Sequence, residues 1–213
     1  VAILYRGEIT PSKIELVSAW APLQSWSGSL DLGTLSPAGA YRFDDPQGEV
    51  GIETLLVRGA DGQVFQVPLT YRGAAMNGAE TALITRMQHS VLGERWVYDG
   101  CGDPAYAQAL ATAILTGGNQ AELEVVTDEG TERREATTKV AGNGVPGSPV
   151  PHVGAVTYRN VGATTIISSG DLELIVNRVI DVAAEAKIPQ GQILVGTWPE
   201  QDAPTYLASA RSI

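Results

Sequence analysis

Cysteine is almost missing from this sequence: Cys101 stands alone in 213 residues. A single cysteine excludes an internal disulfide framework and an all-cysteine zinc site. It also fits a reducing compartment better than a secreted setting. Histidine is nearly as scarce, and neither His89 nor His152 has a second His or Cys at metal-ligand spacing. Lysine occurs only at 13, 139 and 187, and 14 basic against 24 acidic residues give a net charge of −10. That balance argues against a nucleic-acid partner, which needs clustered Lys and Arg for the phosphates. No apolar run approaches the roughly 20 residues that span a bilayer. The opening VAILYRGEIT lacks the basic and apolar segments of a signal peptide. The expectation is a cytoplasmic protein with no membrane partner. What is present is a 44% apolar, 18% charged chain, the composition of a globular protein with a substantial core.

Period-two alternation predicts a strand over 1–9, and Thr10-Pro11 predicts a helix start with Thr as N-cap. Ile14, Leu16, Val17 and Trp20 form that helix's apolar face, and 21–39 reads as a long loop holding Trp26. From 41 to 99 the pattern is antiparallel. A turn falls at Asp45-Pro46-Gln47-Gly48 and a strand runs from Glu49 to about Val57. Asp61-Gly62 is a hairpin signal leading into Val64–Arg72. Pro68 removes a ladder donor, which predicts an edge or a bulge for that strand. Further strands are expected at 80–89 and 94–99.

The strongest helix signal follows: Asp103 as cap, Pro104 at the first position, Gly117-Gly118 at the end. Tyr106, Leu110, Ile114 and Leu115 are its large apolar residues, and Gln108, Thr112 and Thr116 form one narrow polar stripe. A helix this apolar needs cover on most sides. The predicted fold is therefore α+β: a curved antiparallel sheet packed around a buried helix at 103–117, then a second small antiparallel β lobe. A charged hairpin is expected over 121–140, turning at Asp128-Glu129-Gly130. The predicted organisation is a cap-like unit at 1–141, a Gly/Pro linker at 142–151 and a β-rich lobe at 152–213, the last with short strands at 153–159, 163–168, 172–180, 192–198 and 204–210.

Several motifs invite chemistry. Gly142-Asn143-Gly144-Val145-Pro146-Gly147 fits G-x-G-x-x-G, but prolines at 146, 149 and 151 prevent the helix a dinucleotide loop must open, so it reads as linker. Asp44, Asp45, Glu49 and Glu53 form a carboxylate-rich stretch without EF-hand spacing, and Asp-Asp before Pro-x-Gly is turn chemistry. A Ser-His-Asp triad lacks its G-x-S-x-G. Cys101 precedes a helix N-terminus, which favours a thiolate, but Asp99 and Asp103 oppose one. Trp20, Trp96, Tyr98, Tyr106 and Trp198 read as core before they read as a sugar platform.

Four segments carry a family resemblance: Ala40-Tyr41-Arg42-Phe43-Asp44-Asp45-Pro46, Gly48-Glu49-Val50-Gly51-Ile52-Glu53, Phe65-Gln66-Val67-Pro68-Leu69-Thr70-Tyr71-Arg72 and Trp96-Val97-Tyr98-Asp99-Gly100-Cys101-Gly102-Asp103-Pro104. They resemble the N-terminal cap of actinobacterial maltokinases and aminosugar kinases, most closely the short stand-alone cap-like proteins. The resemblance covers about residues 1–120 and is thin over 150–213. It implies a curved antiparallel sheet, joined in the full kinases to a bilobal kinase that uses ATP and Mg²⁺.

The C-terminal strands then correspond to the small sheet that follows the cap, where a lysine would hold nucleotide phosphates. The nearest position on Leu174–Arg178 is Asn177, and Lys187 lies beyond the strand. The H-x-D-x-x-x-x-N catalytic loop and the D-F-G or D-F-E metal segment are absent from the sequence. The resulting expectation is a non-catalytic cap-like protein without a kinase lobe, with no cofactor and no metal. By analogy its partner would be a protein of maltose, trehalose or glycogen metabolism. The alternatives are a sugar or nucleotide binder, or enzyme, with a cleft site, and a homo-oligomer built on the Pro68 edge strand. No catalytic residue is assigned; Tyr71, Arg72, His89 and Asp99 mark the surface where a ligand or interface is expected.

Overall fold

The computed structural model describes residues 1–5, 7–28, 34–127, 130–183 and 189–213. In chain order its elements are β1 (Ala2–Tyr5), β2 (Ile9–Thr10), α1 (Lys13–Trp20), β3 (Ser36–Phe43), β4 (Gly51–Arg58), β5 (Val64–Arg72), β6 (Leu83–His89), β7 (Gly93–Asp99), α2 (Pro104–Thr116), β8 (Leu123–Thr127), β9 (Gly130–Arg134), β10 (Lys139–Gly142), β11 (Thr157–Val161), β12 (Thr164–Ser169), β13 (Leu172–Asn177), β14 (Val179–Ile180), β15 (Gln192–Trp198) and β16 (Gln201–Ser212). The fold is mostly antiparallel β with few helices, of the α+β kind expected. One sheet runs β2-β6-β7-β5-β4-β3, with β14 added to β5; a second runs β10-β15-β16-β13-β12-β11; a third is β1-β8-β9.

Helix α2 lies between the two large sheets. It packs on β10, β15 and β16 from one and on β3 from the other. Tyr106, Leu110 and Ile114 are fully buried there, in one core with Tyr41, Ile52 and Leu56 of the first sheet and Leu174, Leu194 and Leu207 of the second. Each such side chain stabilises the fold by about 1.5–3 kcal/mol. Asp103 caps the helix through the Ala105 N–H and Gly117 ends it at φ 68°, both as the sequence predicts. The polar stripe meets the linker: Gln108 accepts from the Val153 N–H and donates to the Pro151 carbonyl.

The opposite face of the first sheet is covered by α1 and two 3-10 turns. Trp26 is buried there against Trp20 and Phe65. Covered on both faces, β4 and β5 are buried along most of their length.

Four expectations change. The 1–9 strand is two: β1 pairs in parallel with β8, and β2 pairs with β6. Helix α1 starts after Ser12, not Thr10, because Ser12 and Glu15 form a reciprocal capping box. Strand β5 is interior, between β4 and β7, and the homo-oligomer route through a Pro68 edge loses its surface. Proline is accommodated because β14 pairs with β5 at Val64–Phe65 and β7 pairs only from Leu69 onward. The Gln66 N–H points to that side, toward the Arg178 carbonyl, and Pro68 shares its parity, so the missing donor falls in the gap. Finally, the β15–β16 turn is confined to Pro199-Glu200, and β16 begins at Gln201 rather than 204.

The charged hairpin is β8–β9; its expected turn residues Asp128 and Glu129 lie outside the described residues, as does Lys187. Strand β10 precedes the Gly/Pro segment and pairs with β15 beyond it. The glycines of that segment lie on the C-terminal end of α2. A Cβ on Gly142 would stand 1.9 Å from the Ala113 carbonyl oxygen, and one on Gly144 2.1 Å from that of Leu115. The Gly144 and Val145 N–H groups donate to the Ile114 and Leu115 carbonyls. The G-x-G-x-x-G run thus meets the negative end of a helix dipole, the reverse of a phosphate cradle.

Candidate functional site

A cavity of about 560 Å³ opens on the first sheet where β4, β5 and β6 meet the N-terminus of α1 and the 44–50 turn. Behind its lining residues Lys13, Arg42 and Tyr71 stands Glu53 on β4, buried to 5% exposure and itself lining a second cavity of about 200 Å³. Lys13 reaches its carboxylate at 2.7 Å, Arg42 at 3.0 Å, and the Tyr71 hydroxyl donates to it at 2.8 Å. Burial alone would raise the Glu53 carboxyl; Arg42, Lys13 and the hydrogen bonds from Lys13 and Tyr71 outweigh it and hold the group at about 2. Burial, then the Glu53 charge, pushes the Tyr71 phenol well above its ordinary value.

His89 and Arg95 line the same cavity. The His89 Nδ1 accepts from the backbone N–H groups of Val91 and Leu92 at 3.1 and 3.3 Å, which places the neutral ring's proton on Nε2 as a donor. Desolvation, then Arg95 and Lys13, lowers the His89 pKa, so the imidazole faces two cations and stays neutral. Among the described residues Arg95 is in no ion pair; its guanidinium donates to the adjacent Glu94 carbonyl at 2.9 Å. The expected carboxylate stretch separates here. Asp45 holds its own turn, accepting from the N–H groups of Gln47, Glu49 and Val50, while Asp44 and Glu49 are exposed. Among the described residues no group of three His, Cys, Asp or Glu is placed to hold a metal.

The four nominated surface residues therefore divide. Tyr71 and His89 share the cavity. Arg72 makes a two-pronged bond to Asp103, at 2.8 and 2.7 Å, and with the Thr70 hydroxyl fixes the cap of α2. Asp99 is buried and bound through both oxygens to Arg178, at 2.7 and 2.6 Å. Arg178 follows β13, is fully buried, donates to Thr165 at 2.7 Å and lies 5.4 Å from the Trp26 ring. This pair ties the first sheet to the second. Cys101 is fully buried beside it; burial pushes its thiol well above the ordinary range, so the thiolate reading fails. Tyr98, Tyr106 and Trp198 are core, Trp20 packs on Trp26, and Trp96 lies under Arg86 at 5.4 Å.

Sequence reasoning missed Lys13, Arg42, Glu53 and Arg95 as one group. The usable signals were weak ones: Lys13 is one of three lysines, and Glu53 is a charge inside an otherwise apolar strand.

No curated protein sequence matches the chain. Among solved structures it is similar to a glucosamine kinase in complex with glucosamine, ADP and inorganic phosphate, with TM-score 0.50 and 17% identity over 96% of this chain and 41% of that one. At that identity the likeness is one of fold, and the chain spans about two fifths of the kinase's length. No described helix is long and apolar enough to cross a membrane. Residues 20–103, from the end of α1 to the cap of α2, match the maltokinase N-terminal cap domain, the family that the segments around Tyr41, Glu53, Val67 and Tyr98 resemble.

Proposed function

We propose that this chain is a non-catalytic, cap-like unit that works by binding, with the cavity lined by Lys13, Arg42, Tyr71, His89 and Arg95 as its ligand site. We further propose a cytoplasmic role beside a protein of sugar phosphorylation or α-glucan metabolism. The observation that carries the reading is the fate of the cations near β13. A nucleotide-gripping lobe needs a cation projecting from a central strand. Here Asn177 donates its amide to the Tyr206 carbonyl, and Arg178 is consumed by Asp99 inside the core. The cations with room for a ligand, Lys13, Arg42 and Arg95, line the cavity on the cap instead.

The test is a phosphotransfer assay with ATP, Mg²⁺ and glucosamine, glucose or maltose. No sugar-dependent ADP release is expected, together with ligand-dependent stabilisation in a thermal-shift screen. Any sugar-dependent release would overturn the non-catalytic reading, and release that persists in Glu53→Gln would place the enzyme's site elsewhere.

A further inference from the structure

Resting on the cavity as a binding site, we infer that its ligand is a small organic anion: a compact polar body carrying a phosphate or carboxylate group. Three cations, Lys13, Arg42 and Arg95, line the cavity, and two of them, Lys13 and Arg42, also reach Glu53 behind it. Three carboxylates also line the cavity, each held in its own loop or standing at the rim. Asp45 is turned into its own loop by three backbone N–H bonds, and Asp44 and Glu49 stand on the exposed rim. Arg95 is half-buried without an ion pair among the described residues, which leaves its fork open to a planar or tetrahedral oxyanion. His89 adds an Nε2–H donor with no acceptor among the described residues.

Size and lining select against a bare ion. A volume of about 560 Å³ lies within the range of small-molecule sites, and Ile9, Ile52, Met87 and Leu92 give it an apolar side. A sugar-sized body fills that side while its anionic group meets the cations. Three of the chain's 14 basic residues are placed here.

Isothermal titration calorimetry of the full chain with glucose 6-phosphate, glucuronate, inorganic phosphate and glucose tests this. One of the two organic anions is expected to bind at least tenfold more tightly than glucose or inorganic phosphate, and more weakly at high salt. Preference for glucose 6-phosphate or for glucuronate identifies the anionic group. Arg95→Gln is expected to weaken that binding tenfold or more, and Arg58→Gln, at an exposed ion pair outside the cavity, to leave it unchanged. Glucose binding as tightly as either anion, with loss on Lys13→Gln, sinks the anion inference and leaves the cavity reading standing. Binding indifferent to both Arg95→Gln and Lys13→Gln, or no binding by any of the four, overturns both.

Discussion

Among the buried carboxylates that meet arginine, Asp99 and Glu53 do different work. Asp99 and Arg178 are matched one to one, both almost wholly buried; the guanidinium also donates to Thr165 and lies against the Trp26 ring, and its Nη1 is buried without a hydrogen-bond partner. Glu53 is buried as deeply, but Arg42 and Lys13 both reach it and keep 16% and 32% of their side chains exposed. The first arrangement is closed: each charge has its partner, and neither side chain is exposed to meet a ligand. The second is open, with a cationic surplus turned toward a cavity. Burial of a carboxylate–arginine pair therefore does not by itself mark a site; the stoichiometry of charge and the exposure of the cations separate the latch from the pocket.

The largest effect is expected from breaking the latch. Arg178→Met leaves Asp99 charged in the core and should cost about 3–5 kcal/mol in denaturant unfolding. The double variant Arg178→Met, Asp99→Leu should recover a good part of that loss. Additive losses would mean that the two residues act separately and that the sheets are joined by apolar packing alone.

Next in size is Glu53→Gln. The folded carboxyl sits at about 2 against an ordinary 4.5. The unfolded chain takes up this proton first as pH falls, so the contribution is fully present above about 4.5 and is lost as pH drops to about 2. That shift corresponds to ~3 kcal/mol. Unfolding measured across this window should show a steeper acid loss for the parent chain than for Glu53→Gln; parallel curves would mean that Glu53 is not held by its two cations.

The smallest effect sharpens the contrast. Arg95→Gln removes a cation with no ion pair among the described residues, so stability should stay within about 0.5 kcal/mol. A loss like that of Arg178→Met would place Arg95 with the latch.

The sequence made α2 legible because its signals are local: Asp103, Pro104 and Gly117 act within a turn of their own positions. Strand pairing over short turns was legible for the same reason, as at Asp61-Gly62. Partners far along the chain were not. Asp99 and Arg178 are 79 positions apart, and nothing near either announces the other. The parallel pairing of β1 with β8 joins Ala2 to Leu123, and it was invisible to a reading of alternation alone. The cavity draws on α1, the 44–50 turn and strands β1 to β7, so only Tyr71 and His89 of its residues were nominated. Pro68 misled because a missing donor implies an edge only when a neighbour occupies that side along the whole strand; here the neighbour changes from β14 to β7 at that point.

The chain's two histidines allow the most direct test of the open cluster as a ligand site. His89 lies in the cavity, and His152 is exposed beyond the Gly/Pro segment. In a ¹H–¹³C NMR titration of the imidazole resonances with glucose 6-phosphate and glucuronate, His89 should shift saturably with one of them while His152 stays fixed. A His89 resonance unmoved by both, or equal movement of the two histidines, would contradict the account.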